Sequence, residues 1–185
     1  MQRRNEMKTS LMIIALTLIA ATMSFGQSTS APKPGLEHAK LAGLVGNWIT
    51  AGESTENSFG PPEKFSGKIL SEWFAGGFAV VRHVDGKSSR SGEVHSLEVI
   101  SYDTAARAYT WYSIDNRGAS LLGKTSIAGD TLTAVWEFGV KGKTYQVRGT
   151  LKGLGSDKLT WIQEYSEDGK TWKTYFRSTD TRVKS

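Results

Sequence analysis

Leu41-Ala42-Gly43-Leu44-Val45-Gly46-Asn47-Trp48 is the stretch whose reading decides the fold. Leading into it, Leu36, Ala39-Lys40-Leu41 and Leu44-Val45 place apolar groups at helical spacing for about two turns, enough for a plug but not for an independent helix. From Trp48 onward the pattern changes to short runs rich in aromatic and β-branched residues, punctuated by Gly, Asp and Asn. A short helix that runs straight into a Gly-x-Trp strand, with many further strands behind it, predicts a barrel closed at one end by that helix.

The runs predict strands near 45–53, 65–74, 78–85, 92–102, 108–114, 119–128, 131–138, 143–152, 158–166 and 172–179. The breaks carry turn chemistry: Gly76-Gly77, Asp85-Gly86, Asp115-Asn116-Arg117-Gly118, Gly129-Asp130, Lys141-Gly142, Gly155-Ser156-Asp157 and Asp168-Gly169. Tight turns join sequential neighbours, so the sheet is an antiparallel meander. About 13 residues are available for each strand and its turn, which leaves no length for crossover helices and excludes an α/β fold. A meander this long tends to curl and close, because closure removes exposed edges. The expectation is therefore all-β: a single closed antiparallel up-and-down barrel of about ten strands with a short N-terminal helix, spanning residues 36–180.

The chain resembles the calycin superfamily of lipocalins, fatty-acid-binding proteins and nitrobindin-like barrels, through Gly46-x-Trp48 and an Arg on the last strand, Arg177. The resemblance implies that Trp48 packs against that Arg and that Gly46, Trp48 and Arg177 are structural. It is nearer still to a family of bacterial domains of unknown function (family 1579), which open Leu-x-x-Leu-x-Gly-x-Trp. Their mid-chain Tyr-Asp turn with Tyr and Trp behind it is matched by Tyr102-Asp103, Tyr109 and Trp111, and their closing Tyr-x-Arg by Tyr175-Phe176-Arg177. Nitrobindin-like members hold haem through a His near the C-terminal end of the barrel. No His follows His95 here, so that ligation does not carry over and no cofactor is expected.

Arg3, Arg4 and Lys8 precede an apolar run from Leu11 to Phe25 that is too short to span a bilayer comfortably, the pattern of a secretory signal peptide. Ser24 and Gly26 suit the −3 and −1 positions of a cut before Gln27. Residues 1–26 are thus expected to be removed, and Gln27–Gly35 to form a flexible leader. The 159 residues left make one domain, expected in the periplasm or secreted, with no membrane span after cleavage. The formal charge of +5 falls to +3 once Arg3, Arg4, Lys8 and Glu6 are gone, and the bases are scattered among acids, so no nucleic-acid partner is expected. Zero Cys excludes disulfides, thiolate catalysis and Cys-ligated zinc.

Tyr109, Trp111, Trp136, Tyr145, Trp161, Tyr165 and Tyr175 alternate with Thr, Lys, Ser or Glu, which makes one sheet face apolar. In a small barrel that face points inward, where the rings either fill the core or line a cavity and offer an OH or NH to a ligand. Trp111, Trp136 and Trp161 are each 25 residues apart without any repeat in their flanks, a by-product of regular hairpin length. Arg82 shares its face with Val80 and Val84 and is the better candidate to meet a ligand carboxylate inside, as an Arg does in fatty-acid-binding proteins; parity argues against Arg148, and Gln163 is a further mid-strand polar group. Glu72 and Glu98 are also mid-strand, but pairing carboxylates needs a register. A symmetric hairpin around Asp85–Gly92 would set His83 opposite residue 94 and His95 opposite 82, with Asp85 and Glu93 near; solvated His is the expectation and no metal is assigned.

Three functions are compatible with this pattern. The leading one is an exported, monomeric binding protein for a small hydrophobic or amphipathic molecule, with Tyr109, Trp111, Trp136, Tyr145, Trp161, Tyr175 and Arg82 as ligand contacts. A small calycin-like enzyme of isomerase or cyclase type and a solid-core structural or interaction protein of the cell envelope are the alternatives. A cavity separates the first two from the third, and a buried ionisable group facing it favours an enzyme.

Overall fold

The computed structural model describes residues 32–140 and 142–184. The expected signal segment 1–26, residues 27–31 of the leader and Lys141 lie outside the described residues. Residues 32–35 are exposed and carry no regular structure.

A short helix, α1 (Leu36–Ala39), passes into a 3-10 turn (Lys40–Leu44), and ten strands follow: β1 (Gly46–Ser54), β2 (Glu63–Trp73), β3 (Ala79–Ser88), β4 (Gly92–Asp103), β5 (Ala108–Asp115), β6 (Ser120–Ala128), β7 (Thr131–Val140), β8 (Lys143–Lys152), β9 (Lys158–Ser166) and β10 (Lys173–Arg182). Each strand pairs antiparallel with the next, and β10 returns to pair with β1, so the sheet is a closed barrel with no free edge. The turns hold as their residues predict. Asp103 Oδ1 accepts from the Ala105 and Ala106 amides, and Asp168 Oδ1 from those of Lys170 and Thr171.

Two expectations are corrected. The β3–β4 hairpin turns later than Asp85-Gly86, which is instead inside β3, so His83 lies opposite Leu97 and His95 opposite Asp85. The last strand continues to Arg182 and carries a bulge between Thr174 and Phe176. A bulge inserts one unpaired residue and exchanges the faces of everything beyond it.

The helix end of the barrel is closed by buried side chains. Leu41 and Leu44 are fully buried there, and the Trp48 indole donates to the Leu44 carbonyl at 3.0 Å. Val80, Ile100, Leu132, Leu151 and Leu159, all within three residues of strand ends at this side, are fully buried too. The plug is pinned from β5: the Tyr109 hydroxyl donates to the Glu37 carboxylate at 2.6 Å and lies 2.8 Å from its backbone carbonyl. His38, also buried, bonds the Tyr102 carbonyl through Nε2 at 3.2 Å. The other end is where space opens.

Candidate ligand-binding cavity

A cavity of about 140 Å3 occupies the middle of the barrel, walled by Trp111, Trp136 and Trp161. Their 25-residue spacing spans two strands with two turns, so the three indoles come from β5, β7 and β9 and all face inward. The Trp111 and Trp161 rings meet at 5.1 Å. Gly149 on β8 makes room for one of them: a Cβ there would stand inside the Trp161 ring.

Beneath this apolar wall lies a charged cluster contributed by β3, β4 and β10. The Arg82 guanidinium stands 3.0 Å from Glu98 Oε2 through Nη1 and donates to Asp180 Oδ2 at 3.4 Å through Nη2. Arg82 and Asp180 are each 4% exposed, and all three side chains line the cavity. Register explains the meeting of Arg82 with Glu98, since they are cross-strand partners, while Asp180 reaches in from the far side of β1 and β2. One guanidinium faces two carboxylates. Burial is the largest influence on Glu98 and pushes its pKa up; Arg82 pulls it down, and Asp180 adds to the rise. Thr50, Ser113, Gln163 and Ser178 complete the polar lining.

The cavity continues into a wider mouth of about 440 Å3 that shares Phe65, Val84, Glu98, Leu121, Trp136, Gln163 and Phe176 with it. Phe59, on the β1–β2 loop, sits in this mouth with its ring 5.2 Å from Tyr145, 4.9 Å from Tyr165, 4.9 Å from Tyr175 and 5.6 Å from Phe138. Desolvation raises the pKa of the Tyr175 hydroxyl. Arg90 and Arg117 stand on the same rim.

Of the residues singled out from sequence, Arg82, Trp111, Trp136 and Trp161 converge on the central cavity, and Tyr175 lines the mouth. Tyr109 is at the opposite, helix-closed end and Tyr145 packs in the Phe59 cluster, so the six aromatic groups do not form one wall. Arg177 does not pack on Trp48. Because Tyr175 is the bulged residue, both Tyr175 and Phe176 border the mouth and Arg177 turns to solvent. Arg182 takes the place expected of it: its guanidinium lies 4.0 Å from the Trp48 ring centre and donates to the Val45 carbonyl at 2.6 Å. Gly46, at φ 135°, is glycine because a Cβ would collide with that guanidinium. Arg148 faces outward, bound to Glu164 at 2.7 Å and stacked 4.3 Å from the Trp172 ring centre. His95 is exposed and hydrogen-bonds Asp85 at 2.8 Å; among the described residues no group of three His, Asp or Glu is placed to hold a metal ion. Asp180 was not expected, and the cue available for it is the alternation Ser178-x-Asp180-x-Arg182 once β10 is allowed its full length.

No curated protein sequence matches the chain. Several solved structures resemble it, among them the following two. The protein Rv2717c from M. tuberculosis is 11% identical, with a TM-score of 0.55 covering 81% of this chain and 99% of that one. The S-type phycobiliprotein lyase CPES from Guillardia theta is 15% identical, with a TM-score of 0.51 covering 82% of this chain and 99% of that one. At these identities both show the fold alone. No helix among the described residues is long and apolar enough to cross a membrane. A family model matches residues 33–182, through the whole of β10, and the chain belongs to that family, described as a protein of unknown function (DUF1579).

Proposed function

We propose that this chain is an exported, monomeric barrel that binds a small amphipathic molecule, apolar body against the three indoles and polar end toward Arg82. The observation that carries the reading is the juxtaposition itself: an indole-walled space, open at the mouth, ending on a buried charged cluster. A barrel built only for stability gains nothing from burying three charged groups beside a void, since such groups are stabilising only when fully paired. Small-molecule sites have this composition, mostly apolar with a few convergent polar groups. The space also weighs against a solid-core interaction protein. Export rests on Arg3, Arg4, Lys8 and the Leu11–Phe25 run.

An enzyme is the second reading, and Glu98 is what favours it. A carboxyl whose pKa is raised by burial, facing a cavity, is placed to give and take a proton. Native mass spectrometry of protein purified from its own host tests the binding reading. A co-purifying small molecule released on unfolding is expected. A bare protein mass, with Trp fluorescence unmoved by long-chain fatty acids, a hydrophobic dye and haem, would count against it. Turnover of the released molecule by the pure protein would move the assignment to the enzyme.

A further inference from the structure

Two donors in the cavity have no partner in the protein: the Arg82 Nε–H and the Trp111 indole N–H. Both side chains are more than nine-tenths buried and both line the cavity, with the guanidinium carbon 5.9 Å from the centre of the Trp111 ring. Neither group can accept a hydrogen bond, so only an acceptor satisfies them. Glu98 Oε2 also lacks a well-aligned hydrogen bond, but it is 3.0 Å from a guanidinium nitrogen and is electrostatically matched. The unmet demand of the site is for an acceptor.

Charge narrows the chemistry of that acceptor. Arg82 already faces two carboxyl groups, so an anionic headgroup would bring a third to one guanidinium in a desolvated space. An ammonium headgroup would meet Glu98 and Asp180 favourably, but it carries no acceptor and would leave both donors unmatched beside another cation. An uncharged carbonyl oxygen has two lone pairs, adds no charge and can take both N–H groups.

We infer that the ligand inserts an uncharged carbonyl, of the ketone, ester or amide class, between Arg82 Nε and Trp111 Nε1, with its apolar body directed past Trp136 and Trp161 toward the mouth. This rests on the small-molecule reading above and assigns its headgroup. It also separates this barrel from one that uses its interior Arg to hold a carboxylate.

Four probes of one chain length make the test: decane, 2-decanone, decanoate and decylammonium, each titrated by displacement of a hydrophobic dye. 2-Decanone is expected to bind about tenfold or more tighter than each of the other three, the effect of satisfying a buried donor. The Trp111 indole N–H signal in a two-dimensional NMR spectrum is expected to move on adding the ketone and not on adding decane. Trp111→Phe keeps a ring in place but removes one of the two donors, and should narrow the preference for ketone over decane severalfold while the Arg82 Nε–H keeps the remainder. Tighter binding of decanoate or decylammonium, or equal binding of ketone and decane, overturns the headgroup while leaving a small-molecule site. Failure of all four probes and of the dye overturns both.

Discussion

The Arg182 guanidinium covers the Trp48 ring at 4.0 Å, joining the last residue of β10 to its cross-strand partner near the start of β1 at the barrel's seam. It also satisfies the Val45 carbonyl, at the point where the plug becomes the barrel. This one contact holds together the three parts of the Gly-x-Trp signature: the ring, the cation and the glycine that clears its path.

Removing Trp48 should therefore cost about 3 to 5 kcal/mol, as for other buried large aromatics. Arg182→Ala should cost about 1 to 3 kcal/mol through the lost hydrogen bond and cation–π contact. Arg177→Ala, at an exposed position, should stay within about 0.5 kcal/mol. Urea denaturation of the three variants checks the ranking, and equal losses from Arg177 and Arg182 would contradict the geometry.

Glu98 sets a pH dependence of definite sign. Its folded pKa is raised above the ordinary 4.5 by burial, so between 4.5 and the raised value the folded chain holds a proton that the unfolded chain has lost. Its contribution to stability is full below 4.5 and is lost as pH rises through the folded value. Glu98→Gln should flatten the urea midpoint from pH 4.5 toward neutrality relative to the natural chain. A variant that fell off more steeply with rising pH would show that Glu98 is ionised inside the barrel.

The strands were legible because each turn announces itself in Gly, Asp and Asn, and because alternation separates inside from outside without knowledge of the partner strand. Arg82 inside and Arg148 outside follow from parity alone. What parity cannot see is a bulge: Tyr175 gives no signal of being unpaired, and that single residue turned Arg177 outward and Asp180 inward. The Arg82–Glu98–Asp180 cluster was illegible for a related reason, since it depends on barrel closure that brings β10 across from β3. Height along the barrel is likewise absent from a pattern of faces. Tyr109 and Tyr145 alternate as Trp111 and Trp136 do, yet belong to opposite ends.

Gly149 offers a packing test of the cavity wall. Gly149→Ala places a methyl within the Trp161 ring, so either the ring swings into the cavity or the strand shifts, at about 1 to 3 kcal/mol. Gly123→Ala is the matched control on β6: its Cβ would sit 3.5 Å from that of Ala134, an ordinary contact. Thermal melts and dye affinity should both fall for the first and be nearly unchanged for the second. Loss in Gly123→Ala as large as in Gly149→Ala would mean that the wall does not have the described shape.

Phe59 stands in the mouth of the barrel. It is the aromatic residue of the β1–β2 loop, clustered at 4.9 to 5.6 Å with four rings of β7, β8, β9 and β10 at the mouth. Aromatic pairs of this kind contribute about 0.5 to 1.5 kcal/mol each beyond their burial, enough to hold the loop over the opening while still letting it release. Replacing the ring by a methyl removes that hold without touching Arg82 or the three indoles. Phe59→Ala should therefore raise the association and dissociation rates of a hydrophobic dye together, by about tenfold for each 1.4 kcal/mol of lost hold, with a smaller change in Kd. Stopped-flow mixing reads both rates. A change confined to Kd, with association unaltered, would make Phe59 a ligand contact and leave the mouth without a gate.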